Sequence, residues 1–206
     1  MAINLSMAAT VASALALIAL HFLSREFDPS WRMVSEYALG KYGWLLAIVF
    51  VTWGAAYFAL ALALRPLDAT WLGRLGLLFL VLAGSGTVIA AVFDVKHKLH
   101  GAAFAIGVPS LTLAAILVTL ALRRTGVDLP MWPAHLSWMS VLAMAAAMAL
   151  FFAAMSRAGV DLSKTSGILE KLPDGVKAYH GWANRLLFAA SYLWLLYTAV
   201  TLSRNL

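Results

Sequence analysis

A chain of 206 residues that is 63% hydrophobic and 12% charged has too much apolar surface for one water-soluble core, since soluble domains run at about 45–50% apolar and about 25% charged. Its net charge of +6 sits in loops beside apolar runs, where basic residues set topology and meet anionic headgroups, which argues against a nucleic-acid partner. The absence of cysteine removes disulfides, thiolate metal sites and a Cys nucleophile.

Six apolar runs follow in order: about Leu5–Leu23, Tyr42–Leu64, Leu72–Phe93, Ala102–Leu122, Leu136–Met155 and Trp182–Leu202. Each is close to the roughly 20 residues that span a bilayer. None shows the alternating polarity of a membrane barrel strand, and an unpaired backbone is too costly in hydrocarbon, so all six are predicted helices. The fold class is all-α: an integral membrane bundle of six transmembrane helices, one domain over residues 1–206. The first run lacks a basic leader, so it reads as a retained helix rather than a signal peptide. In the first loop, Asp28-Pro29-Ser30 resembles a helix start and Gly40 a stop, which predicts a short amphipathic helix over Ser30–Leu39. Ala83–Thr87 (AGSGT) in helix three and the alanines and methionines of helix five predict that these two are central packing helices, because small residues let helices approach closely in lipid. Trp44, Trp71, Trp132 and Trp182 fall at run ends, where an aromatic belt belongs.

The polar residues are unevenly divided between the two membrane faces. The face formed by loops one, three and five and the helix ends beside them holds seven of the nine acidic residues and four of the five histidines, leaving Asp68, Asp128 and His135 on the opposite face. The fifth loop contributes Asp161, Glu170 and Asp174 to that total, read as solvated charge. Most Lys and Arg residues also lie on the busy face, which by a bare count makes it cytoplasmic. The adjacent Arg123–Arg124 pair argues the opposite way.

Three groups on the busy face carry chemistry. Asp28, Arg32, Ser35 and Glu36 crowd the first loop, either pointing into the bundle mouth or serving as a cap and a solvated face. Asp94, His97 and His100 in DVKHKLH share one face of a helical turn and are the ligand set if a metal is bound; the interleaved Lys96 and Lys98 oppose a cation, so no metal is assigned. His180 and Asn184 are one turn apart at the mouth of helix six, and Arg185 follows inside an apolar run. An ionisable residue there either snorkels or pairs, with Glu36, Asp94 or a lipid phosphate as partner. A b-type heme needs histidines within facing helices; here they lie near helix ends, and no cofactor is assigned. Glu36, Asp94 and His100 are therefore the candidate catalytic residues, and Asp28, Arg32, Ser35, His180, Asn184 and Arg185 the candidate ligand-binding residues.

At these positions the chain resembles a bacterial membrane family, Domain of Unknown Function 998. The resemblance is carried in order along nearly the whole chain by Asp28-Pro29, Ser35–Gly40, Gly43-Trp44, Phe93-Asp94, Leu99-His100-Gly101, Asn184-Arg185-Leu186 and Trp194. The segment between Asp94 and His100 is shorter and richer in lysine than the family pattern, and His180 is not one of its hallmarks. The resemblance implies a six-helix bundle in a bacterial inner membrane, with its recurring elements on one face, and it favours that face lying outside the cytoplasm; it implies no activity. Two functions are expected from the residues. In one, a His/acid/Arg site binds or processes a lipid-like amphiphile, with membrane lipids as partners. In the other, the chain is a non-catalytic accessory or scaffold subunit that docks other membrane proteins. A single site requires Glu36, Asp94, His100 and Arg185 to converge on one polar cavity.

Overall fold

The computed structural model describes residues 1–160 and 169–204. Six helices are long and apolar enough to cross a membrane: α1 (Ala2–Leu23), α2 (Gly43–Ala63), α3 (Trp71–Val92), α4 (Lys98–Arg124), α5 (Trp132–Arg157) and α6 (His180–Arg204). Short 3-10 segments at Val34–Leu39 and Arg65–Ala69 are the only other helices among the described residues. The later helices outrun their apolar segments because interfacial residues keep winding. α4, for example, starts under a cap in which His97 Nδ1 accepts from the Leu99 N–H at 3.2 Å. Trp44, Trp71, Trp132 and Trp182 are all exposed at helix ends, as a belt requires.

Neighbours in sequence pack as neighbours in space, and α6 closes the bundle against α1 and α5. The closest helix crossing is between α3 and α4. A Cβ at Gly86 would lie 2.7 Å from Gly107 Cα and 2.9 Å from the Ala103 carbonyl oxygen, so the two backbones touch there. Close approach therefore holds for α3, although only 33% of its apolar stretch is buried, so it is not a central helix. For α5, at 22% against 56% for α2, α4 and α6, the central-packing reading fails outright. Small side chains permit close approach but do not compel it, and much of α5 is left facing outward.

The interior is bound by hydrogen bonds between helices. Tyr192 donates to Ser13 Oγ (2.8 Å), since the Ser13 hydroxyl proton is committed to the Val49 carbonyl (2.7 Å). Trp53 Nε1 donates to Ser191 Oγ at 3.1 Å, and Trp194 Nε1 to Thr119 Oγ1 at 3.1 Å. Such bonds are individually modest, about 0.6 kcal/mol each on average in a membrane bundle, but they fix register.

The expected helix over Ser30–Leu39 is replaced by a turn and a 3-10 helix. The Asp28 carboxylate accepts from the Ser30 N–H (2.8 Å) and the Asp28 carbonyl from the Arg32 N–H (2.9 Å). Met33 is then extended, at φ −74°, ψ 153°. Its N–H is taken by Glu36 Oε1 at 2.9 Å and the Val34 N–H by Asn184 Oδ1 at 2.9 Å. With both amides bound to side chains, an α-helix cannot propagate through this segment.

The α3–α4 contact gives a direct test. Gly86→Ala is expected to destabilise the protein by about 1–3 kcal/mol, the usual cost of overpacking. Gly101→Ala, where an added Cβ meets nothing within 4 Å, is expected to be neutral or slightly stabilising. Thermal unfolding of the two variants in detergent separates them.

Candidate functional site

Two constellations lie on adjoining faces at the loop-one end of α6, one on Arg185 and the other on the residue before it. Arg185 is buried, and its guanidinium is held by four acceptors. Nε donates to His21 Nε2 at 2.6 Å, one terminal nitrogen to the carbonyls of Arg32 (2.7 Å) and Gly181 (3.0 Å), and the other to the Tyr37 hydroxyl (2.9 Å). All four are uncharged groups. The His21 tautomer follows: its Nδ1 lies 2.7 Å from the Leu17 carbonyl, which can only accept, so Nδ1 carries the proton and Nε2 offers its lone pair to Arg185. Glu36 pairs instead with Arg32, at 3.0 Å with both side chains about 11% exposed. Arg32 also stacks against Phe27 and Trp31 and donates to the Leu169 carbonyl. Burial pushes the Glu36 carboxyl above the usual carboxylate range, outweighing the Met33 N–H and the Arg32 charge that pull it down.

The backbone of loop one is clamped to α6 at the same place. The Gly181 N–H donates to the Ser30 carbonyl at 3.0 Å, and a Cβ on Gly181 would sit 2.5 Å from the Pro29 oxygen. Gly101, which follows His100 as Gly181 follows His180, has no such contact and has open space around it.

Asn184 faces the other way, into a cavity between α2, α3, α4 and α6. The cavity is narrow and partly open to the outside, a slot rather than a chamber. Ser35, His100, Asn184 and Thr87 form its polar lining, and Phe50, Trp53, Phe104, Leu111 and Phe188 lie among its apolar walls. From His100 to Leu111 the slot follows roughly 16 Å of helix at about 1.5 Å per residue.

Three polar atoms on this slot have no hydrogen-bond partner among the described residues. His100 Nδ1 is 2.9 Å from the Phe93 carbonyl, so in the neutral ring Nδ1 carries the proton and Nε2 is a bare lone pair. Asn184 Oδ1 is occupied by the Val34 N–H, which leaves the Nδ2 donors free. Ser35 Oγ completes the set.

The remaining candidates lie elsewhere, so the expected convergence is incomplete. Glu36 and Arg185 share one constellation and His100 lines the other. Asp94 is exposed, and its carboxylate closes a turn by accepting from the Lys96 N–H at 2.9 Å. His97 is occupied as the α4 cap and stacks on Phe93. Asp94, His97 and His100 do not gather into a metal-binding group among the described residues, because each is committed to a local backbone contact. Asp28 closes its own turn. His180 leaves the Asn184 face and packs on the Phe151 ring of α5 at 4.3 Å. Glu170 and Asp174 line a separate surface hollow with Asp28, and Asp161 lies outside the described residues. Arg185 meets His21 and Tyr37 rather than the Glu36, Asp94 or lipid phosphate expected from the sequence; a buried guanidinium needs acceptors, and uncharged ones serve as well as charged ones.

The fold defines a polytopic, all-α membrane protein, its two polar constellations gathered at the loop-one end of α6. The chain belongs to the family described as "Protein of unknown function (DUF998)", whose model matches residues 7–201. No curated protein and no solved structure matches it.

Arg185→Lys keeps the charge but supplies one nitrogen where three are used, and it is expected to destabilise the protein by about 2–4 kcal/mol, as loss of hydrogen bonds from a charged donor does. Faster tryptic cleavage at Arg25 would report release of loop one. The raised Glu36 carboxyl holds its proton more tightly folded than unfolded. Its stabilising contribution is therefore complete below the ordinary carboxyl value and is lost as pH rises through the raised one. Isotope-edited infrared titration should show a late carboxyl band that Glu36→Gln removes.

Proposed function

We propose that this protein binds a slim, single-chain amphiphile within a bacterial inner membrane, its head on Ser35, His100 and Asn184 and its chain in the apolar slot. The observation that carries this reading is the pairing of three partnerless polar atoms at one end of a narrow cavity with apolar walls beyond them. These atoms line the slot rather than being sealed in protein, so they are open to water or to a ligand's hydrogen-bonding head. One acceptor (His100 Nε2), one donor group (Asn184 Nδ2) and one hydroxyl suit an ester or hydroxyl head rather than a bare cation. The narrowness of the slot favours a chain over a ring system. Helical spans are the architecture of inner-membrane proteins rather than of outer-membrane barrels, and the family resemblance points to bacteria. The Arg185 constellation acts here as the clamp that places Ser35.

A second reading, an accessory subunit docking along α5, draws on that helix's thin burial. Lipid alone accounts for such a face, and purification as a bare monomer would count against docking.

Ala90 lines the slot one turn along α3 from Phe93, whose carbonyl holds His100, and contributes no polar group to it. Native mass spectrometry of the full chain with a monoalkyl glycerol ether is expected to show one bound molecule. Ala90→Phe should weaken that binding about tenfold or more, roughly 1.4 kcal/mol. Equal binding by the two proteins would overturn the reading.

A further inference from the structure

We propose that the slot is also an acyl-transfer site: Ser35 is its nucleophile, His100 its base, and the substrate an ester-linked, single-chain amphiphile. This inference rests on the binding reading above and adds chemistry to it.

A serine hydroxyl becomes a nucleophile when a base takes its proton, and the base works best when a third group fixes its orientation. His100 meets that description. Its Nδ1–H is tied to the Phe93 carbonyl at 2.9 Å, which holds the ring and leaves the Nε2 lone pair as the proton acceptor, on a ring that lines the slot. Ser35 is held at the slot by its neighbour: the Val34 N–H is bound to Asn184 Oδ1 at 2.9 Å. That same bond orients the Asn184 amide, whose free Nδ2–H groups are suited to the oxygen of a polarised carbonyl, the role of an oxyanion-hole donor. Ser35 Oγ and His100 Nε2 do not bond each other, and both are without partners among the described residues. Catalytic hydrogen bonds commonly close only around the substrate.

The reaction balances with water as the only co-reactant. Ser35 Oγ adds to the ester carbonyl carbon as its proton passes to His100 Nε2, and the carbonyl oxygen takes the negative charge beside Asn184 Nδ2. The bond from carbonyl carbon to alcohol oxygen then breaks, and His100 returns the proton to the departing alcohol. Water attacks the acyl-serine, giving a proton to His100. The bond from Ser35 Oγ to the acyl carbon breaks, and Ser35 regains its proton.

The test uses the full chain in detergent and an alkyl fluorophosphonate, which phosphonylates an activated serine with loss of fluoride. Peptide mass spectrometry is expected to find the adduct on Ser35, and Ser35→Ala to abolish it. His100→Asn keeps a donor for the Phe93 carbonyl but removes the base, and should slow labelling about 100-fold, the lower range for loss of a general base. Because His100→Asn keeps the bond to the Phe93 carbonyl, slow labelling in a folded protein cannot be ascribed to collapse, and its melting temperature checks this. An unlabelled Ser35, an adduct on another residue, or labelling of His100→Asn at the wild-type rate would each overturn the proposal. Binding of the monoalkyl glycerol ether, which has no ester to cleave, is read on the same wild-type sample. Ether bound with Ser35 unlabelled sinks only the chemistry, whereas no ether bound sinks the binding reading and this proposal with it.

Discussion

A guanidinium cannot be buried at a membrane face without acceptors for its protons, and meeting that demand at Arg185 organises the busy end of the molecule. Four bonds are drawn from three separate segments: His21 near the end of α1, the Arg32 carbonyl and Tyr37 hydroxyl in loop one, and the Gly181 carbonyl one turn earlier in α6. Each acceptor must be uncharged or carry its proton elsewhere, which is why His21 directs its Nδ1–H to Leu17. The one nearby carboxylate, Glu36, is engaged by Arg32. The two arginines therefore divide the labour: one neutralises the acid, and the other ties loop one to the helices through polar but uncharged groups.

The clamp has a consequence on its far side. Arg185 and Asn184 are consecutive on α6 and so point about 100° apart, at 3.6 residues per turn. Drawing loop one onto Arg185 and Gly181 brings Val34 to Asn184, and with it Ser35 to the mouth of the slot. Glycine at 181 is required for this, since loop-one backbone atoms lie where its side chain would be. The slot exists because α4 follows α3 closely, through Gly86 and Gly107, and makes little contact with α6. A tight crossing on one side of α4 and a gap on the other produce a cavity that the polar residues of loop one and α6 cap.

Much of the busy face was legible in the residues, and the reasons for the misses are physical. Arg185 stood out as an ion inside an apolar run, and Ser35, His100 and Asn184 as polar groups at helix mouths. Sequence spacing then misled at Asp94, His97 and His100, where a shared helical face suggested convergence. Short polar side chains beside a helix start satisfy free backbone amides first, and two of the three residues did so. His180 and Asn184 were paired by their i, i+4 spacing, yet His180 was drawn to the Phe151 ring of α5, a neighbour its own helix could not reveal. The short helix predicted over Ser30–Leu39 failed because its amides found side-chain acceptors, one of them 150 residues away on α6.

By itself the sequence determined the solvent and the architecture. Hydrocarbon leaves a backbone no partner but itself, so apolar runs of this length become six spanning helices whatever their packing. Loop parity then collects most of the acids and histidines on one face. Only the tertiary structure decided which of those groups meet. Two residues adjacent in sequence were assigned to different faces of α6, one to a clamp and the other to a slot. The physical reason is that hydrogen bonds and close packing act across helices, between groups whose separation along the chain carries no trace of their proximity.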